Sequence, residues 1–194
     1  MVREILEQAT AFLQMDELYE ELLAGNVSTA GGRPVIEGKS HLDGAARQLL
    51  TCANLVMSEA AAYYFPLRAV QRVVVSGEMI EFSAFENRVI DVIRVTAVSG
   101  APARFERRAT RIELPDGEYT VEYTYLPLRL GLEDPLPFGH KIGARILALG
   151  TACEYCIVNS MLEEAAMWDK RYRDAITAAA QPKSEARLAR RRWV

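Results

Sequence analysis

From Phe138 to Ala180 apolar residues recur in steps of three and four, at Ile142, Ile146, Leu149, Cys153 and Cys156/Ile157, then at Leu162, Ala165, Trp168, Tyr172 and Ile176. That period is the pattern of an amphipathic helix. As one rod the stretch would run about 60 Å at 1.5 Å per residue, longer than a domain of this size holds, so a break is expected. Asn159-Ser160 supplies one. Asn tolerates the left-handed conformation that ends a helix, and Ser160-Met161-Leu162-Glu163 fits the S-x-x-E capping box. The stretch therefore predicts a helix hairpin with arms over 138–158 and 161–179. Trp168 and Tyr172 supply the buried face of the second arm, and Asp169/Arg173 and Lys170/Asp174 pair on its outer face.

Upstream, Ile5, Ala9 and Phe12/Leu13 form a helical stripe, and Asp16 can cap a second, shorter helix ending at Gly25. Residues 26–40 turn to Ser, Thr, Gly and Pro and read as a long loop. Helical spacing returns over 42–64 through Leu42, Ala46, Leu49, Ala53, Val56, Ala60 and Tyr63, and Pro66 ends it. The period then changes. Residues 70–75, 88–98 and 119–125 are rich in β-branched and aromatic side chains, with fainter strand patterns at 78–83 and 104–113. Tyr119, Val121, Tyr123 and Tyr125 alternate against Glu118, Thr120, Glu122 and Thr124, so one face is buried and one wet. Leu126 to Pro137 carries three prolines, Pro127, Pro135 and Pro137, and reads as an extended connection.

The expected fold class is α+β: a helical bundle ending in a helix hairpin, with a small antiparallel β-sheet or barrel inserted between helices 2 and 3, counting 2–24 and 42–64 as the first two. The body is one domain over 1–182, made of helices (1–66), β-insert (67–128) and hairpin (138–180). An extended basic C-terminal arm covers 183–194. The bundle core is expected from Leu49, Val56, Ile146, Leu149, Cys153, Trp168 and Tyr172.

Half of the 194 residues are apolar and a quarter charged, which suits a globular domain able to bury a core. No run approaches the roughly 18 uncharged apolar residues of a membrane span, and MVREILEQAT lacks a signal peptide's apolar segment, so synthesis and folding in the cytoplasm are expected. The net charge of −3 hides an asymmetry. Near the start, Arg3 stands against Glu4, Glu7, Asp16, Glu17, Glu20 and Glu21; at the end, Lys183, Arg187, Arg190, Arg191 and Arg192 stand against Glu185.

Cys153-Glu154-Tyr155-Cys156 is a C-x-x-C, but it falls late in a helix and on its apolar stripe, where the helix dipole disfavours thiolate. Zinc wants four ligands, and the further candidates are Cys52, His41 and His140, with no second pair at ligand spacing. The cysteines read as small hydrophobes, with no metal and no cofactor expected. No G-x-S-x-G, H-E-x-x-H, Walker A loop or G-x-G-x-x-G occurs, and the expectation is a protein that is not an enzyme. Arg88, Arg94, Arg104, Arg107, Arg108 and Arg111 give the β-region a basic look, either a solvated face or a surface for nucleic acid. The tail closes on Arg190-Arg191-Arg192-Trp193-Val194, and Arg with Trp is the composition of interface anchors.

Three segments carry a family likeness. They are Leu49-Leu50-Thr51-Cys52-Ala53-Asn54-Leu55-Val56 with Ala60 to Pro66; Leu114-Pro115-Asp116-Gly117-Glu118-Tyr119 running on to Leu126-Pro127; and Ala152-Cys153-Glu154-Tyr155-Cys156 followed by Glu163 to Tyr172. In this order the chain resembles the head-to-tail adaptor proteins of tailed phages, the gatekeeper-type rings beneath the portal. The resemblance implies a structural virion protein in the neck between capsid and tail, assembled in the host cytoplasm. About a dozen copies would form a ring, a closed heterologous assembly. It further implies a portal-docking arm of Arg187, Leu188, Arg190, Arg191, Arg192, Trp193 and Val194. The β-insert would face tail or nozzle proteins, and DNA would pass through the channel without sequence-specific binding. The 26–40 segment has no counterpart. The competing reading is a small helical nucleic-acid-binding module of a host complex, using its arginines.

Overall fold

Helix α4 (Ala144–Val158) is apolar around most of its circumference, from Leu147 and Ala148 through Thr151 and Ala152 to Cys156, and such a helix has to be covered on several sides. In the computed structural model, which describes residues 1–30, 33–139 and 141–181, helices α1 (Val2–Phe12), α3 (Ser40–Tyr63) and α5 (Leu162–Ala180) all pack against it. The contact is closest at Gly150. A Cβ there would stand 2.7 Å from Val56 Cγ1 and 3.0 Å from Tyr172 Cε2. At the far end Phe12 of α1 stacks on Trp168 of α5, with ring centroids 5.3 Å apart. The fifth helix, α2 (Asp16–Leu23), buries Leu18 and Leu22.

The hairpin is present, with a different turn from the one expected. Ser160, not Asn159, takes the left-handed conformation (φ 62), and α5 starts at Leu162 with no side chain capping it. The Met161 amide donates to Cys156 O at 2.8 Å and the Ser160 amide to Ile157 O at 3.0 Å, which is a Schellman closure with serine at the position glycine usually fills. The capping box therefore does not form, because Ser160 ends the first helix. Gln14 (φ 55) closes α1 in the same way. The first arm also starts later than 138, since Gly139 is left-handed (φ 58) and Gly143 is extended. Asp169 and Arg173 pair at 2.8 Å; Lys170 and Asp174 do not. Of the expected core, Ile146 and Leu149 sit only half-buried at its margin, and Cys153 and Trp168 form a second cluster with Ala152, Cys156 and Ala165.

The segment expected as a long loop folds as a hairpin of β1 (Val27–Ala30) and β2 (Arg33–Ile36). Val27 and Ile36 face each other across the ladder and both are buried. Arg3 ties this hairpin to the helices: its guanidinium donates to Leu22 O at 3.2 Å and Val27 O at 2.8 Å and pairs with Glu133.

Between α3 and α4 lie two three-stranded antiparallel sheets, and no barrel closes. One has the order β3 (Leu67–Val75), β8 (Gly117–Leu126), β5 (Arg88–Ala97). The other pairs β4 (Met79–Glu81), β7 (Arg111–Glu113) and β6 (Glu106–Arg107). On β8, Val121 and Tyr123 are fully buried and Tyr119 and Tyr125 half-buried, so the alternation reads as expected. Val73, Val92, Val95, Ile112, Val121 and Tyr123 anchor a core separate from that of the helices. The connection to α4 is clamped by Asn54 of α3, which accepts from the Leu130 amide at 2.7 Å and donates to Leu130 O at 3.0 Å.

Two stability changes follow. Gly150→Ala gains helix propensity but drives a methyl into Val56 and Tyr172, so overpacking wins and denaturant unfolding should show a loss of about 1–3 kcal/mol. Ser160→Gly removes a left-handed penalty of about 1–2 kcal/mol against a chain-entropy cost of about 0.5–1, so the same measurement should show a net gain of about 0.5–1 kcal/mol.

Candidate functional site

The residues assigned to portal docking, Arg187, Leu188, Arg190, Arg191, Arg192, Trp193 and Val194, lie outside the described residues. What is defined is their point of departure. Helix α5 runs to Ala180, and Gln181 leaves it in an extended conformation (φ −62, ψ 132).

The C-x-x-C sits inside the protein. Cys153 and Cys156 are buried with Ala165 and Trp168, and the Cys153 thiol donates to Ala165 O at 3.5 Å. Burial, and then the carboxylates of Asp169 and Glu154, pushes the Cys153 thiol up to about 11. Burial and then Glu154 push the Cys52 thiol up to about 11 as well. Cys156 is raised by burial and then Glu164. A nucleophilic or ligating sulfur needs the opposite shift. Among the described residues no three of His, Cys, Asp or Glu converge on a metal position.

Folding offsets most of the basic look of the β-region, leaving Arg88 and Arg104 outside the ion pairs of the described residues. Arg94 pairs with Glu122 at 3.1 Å, Arg107 with Asp91 at 3.2 Å, Arg108 with Glu106 at 2.8 Å and Arg111 with Glu113 at 2.8 Å. Hydrogen bonds from Arg111 and then Arg108 hold the Glu113 carboxyl below its ordinary range. Counted over 67–126, eight arginines face nine carboxylates, so the sheets present a mixed surface close to neutral.

Positive charge outside any ion pair of the described residues collects elsewhere. A cleft of about 530 Å³ is lined by Arg33 and Pro34 of β2, Arg47, Leu50 and Thr51 of α3, and Arg129, Leu130 and Gly131 of the connection. Arg129 donates to Thr51 Oγ1 at 3.0 Å, which holds its guanidinium at the cleft. None of the three arginines joins the ion pairs found among the described residues. The neighbouring Asp134 carboxylate is turned to the backbone, accepting from the Gly131 amide at 2.7 Å. Residues 33, 47 and 129 come from three separate segments, so no window of sequence displays them together. The sequence signal misleads: each has an acid four residues away, Glu37 for Arg33, Asp43 for Arg47 and Glu133 for Arg129, and none of these three pairs is among the ion pairs of the described residues.

One carboxylate is perturbed in the other direction. Glu59 on α3 is raised by partial burial and then by Glu154 and Asp169, offset by Arg173. Beside it in the helical core the Tyr172 hydroxyl is buried without a hydrogen-bond partner, and its ionisation is pushed up by burial first and Glu59 next.

No family model matches the chain, and comparison with curated proteins finds no significant match.

The thiols give a pH test. An unfolded chain ionises its cysteines near their ordinary 9.0, whereas folded Cys52 and Cys153 hold their protons to about 11. The unfolded state then binds fewer protons, so stability falls as pH rises from 9 to 11. Chemical denaturation across that window should show the decline, and Cys52→Ala with Cys153→Ala should make it shallower, Cys156 and Tyr172 keeping a share of it. Iodoacetamide at pH 8 should leave both thiols of the native protein unmodified and label both in denaturant.

Proposed function

We propose that the chain is a head-to-tail adaptor of a tailed phage, a structural protein that joins portal to tail as a ring of identical copies around a DNA channel. The observation that carries this reading is the division of the chain into parts suited to three contacts. The helical body and the β-module have separate cores, and the last helix runs straight to an extended Gln181. The arginine-rich residues ending in Trp193 follow from that point. In the proposed role the body forms the ring, the β-module faces the tail, and residues 183–194 reach the portal. Arg and Trp are the side chains that most often dominate such contacts.

The same division favours a structural role over a catalytic one, because the cysteines are protonated and buried and the carboxylates brought together, Glu17 with Glu21 and Glu106 with Glu113, are bridged by Lys39 and Arg108. The nucleic-acid reading loses much of its support once four of the six arginines that gave the β-region its basic look, Arg94, Arg107, Arg108 and Arg111, pair with carboxylates, since phosphate binding depends on uncompensated charge. DNA in this proposal passes through and is not gripped by sequence.

Removing residues 183–194 should abolish attachment to portal rings in a co-sedimentation assay while leaving the unfolding midpoint unchanged. Trp193→Ala should weaken attachment by about 2 kcal/mol, roughly thirty-fold. Equal attachment of truncated and full-length protein overturns the docking arm. Loss of salt-sensitive oligonucleotide binding on truncation, with no portal attachment in either form, favours the nucleic-acid module.

A further inference from the structure

We infer that the three-arginine cleft receives the acidic outer face of α2 from a second copy of the chain. The inference rests on the reading that the protein assembles with copies of itself, and it names the contact.

Consider first what the cleft asks for. Arg33, Arg47 and Arg129 surround a concavity whose other walls include Pro34, Leu50 and Leu130. Leu128 stands exposed beside it. Three guanidiniums stand here against one neighbouring carboxylate, that of Asp134; the excess charge is relieved by an oxyanion, which each guanidinium can bind through two parallel hydrogen bonds. The apolar walls call for a partner that brings hydrocarbon along with its charge. A bare phosphodiester strand does not meet that second requirement. It also calls for charges spread along a track, whereas here they ring a single concavity.

The chain carries a surface of matching chemistry. On α2, Asp16, Glu20 and Leu23 fall at i, i+4 and i+7, on one face, and all three are exposed, Leu23 at 57%. Their neighbours Glu17 and Glu21 are taken up within the subunit by Lys39, at 3.1 and 3.0 Å. Hydrogen bonds from Lys39 and His41 hold Glu17 below its ordinary range, and hydrogen bonds from Asn26 and then Lys39 do the same for Glu21. Asp16 and Glu20 have no such partner among the ion pairs of the described residues. The face thus offers two free carboxylates and one exposed leucine, against three free guanidiniums and an apolar floor.

The two surfaces are different patches of one molecule. A contact between them is heterologous, and repeated from copy to copy it builds a ring or a filament and not a closed pair. Charge pairing of this kind sets register and partner choice, and it weakens with salt.

The test is a charge exchange on the full chain. Self-association is read by sedimentation at low ionic strength up to about 1 mM protein. Arg47→Glu alone and Glu20→Arg alone should each weaken it at least ten-fold. An equimolar mixture of the two should restore it, because each variant then offers the surface that the other lacks. Both positions are exposed, and circular dichroism checks that the variants fold; Arg129→Glu mixed with Glu20→Arg repeats the test at a second arginine. A wild type that stays monomeric throughout, or variants that associate as the wild type does, overturns the inference. So does a cleft variant that loses only oligonucleotide binding, which would make nucleic acid the occupant. No portal is needed, so self-association that the mixture restores, without attachment to portals, would keep this contact and remove the adaptor reading.

Discussion

The approach of three helices at Gly150 is the constraint on which the helical body depends. Val56 of α3 and Tyr172 of α5 both lie within 3.0 Å of where a Cβ would stand, so the axes can come this close only where α4 has no side chain. Around that point α4 has no solvent face to spare. Its Thr151 is buried and satisfies its hydroxyl on Leu147 O, one turn back, as Thr10 of α1 does on Leu6 O. Among the described residues the one buried side-chain nitrogen or oxygen without a hydrogen-bond partner is the Tyr172 hydroxyl. Leaving such a group unpaired costs about 1–3 kcal/mol, and the ring packed on Gly150 offsets it with buried aromatic surface.

A body closed in this way leaves function to its attachments. The β-module joins it through a short seam. Phe65 and Leu67 belong to the helical core at the point where α3 gives way to β3, and Tyr125 packs against both cores from β8. On the return path, Asn54 fixes the connection by both hydrogen bonds to Leu130. That clamp does two things at once. It sets where the chain re-enters the bundle at α4, and it positions Arg129 over α3, facing Thr51. The cleft is thus a by-product of how the β-module is inserted.

The sequence was most legible where a long period had a single cause. The stripe through Leu49, Ala53, Val56 and Ala60 marks α3 because all four are buried against neighbouring helices, and the alternation over 119–125 marks β8 because the sheet has one inner face. It was least legible where a few residues act through distant partners. The β1–β2 hairpin looks polar because only Val27, Pro34 and Ile36 are buried, and two four-residue strands are too short for alternation to stand out. Ser160 was misread because a serine after a helix and a serine before one look the same in sequence, and the hydrogen bonds from Ser160 and Met161 back to α4 decide between them. The β-region looks basic because its arginines cluster in sequence, while Glu122 and Asp91 reach Arg94 and Arg107 from other strands and Glu113 reaches Arg111 along its own.

Strand pairing explains why, among the described residues, the unpaired positive charge is not concentrated where the β-region is richest in arginine. An arginine on a strand finds a carboxylate on the adjacent strand at small cost, because cross-strand neighbours are held within reach by the ladder; Glu122 on β8 takes Arg94 of β5 on one side and Arg68 of β3 on the other. Arg47 and Arg129 have no such ladder, and across the β1–β2 ladder Arg33 faces Ala30. The three sit on a strand, a helix and an extended connection that converge from different directions; of the acids four residues away, Asp43 accepts from the Ile36 amide and Glu133 pairs with Arg3, while Glu37 joins none of the ion pairs among the described residues. No ion pair among the described residues offsets the three guanidiniums, so they outnumber the one carboxylate at the rim, that of Asp134. A partner's carboxylates can supply the offset, which is the condition a surface must meet if assembly is to depend on it.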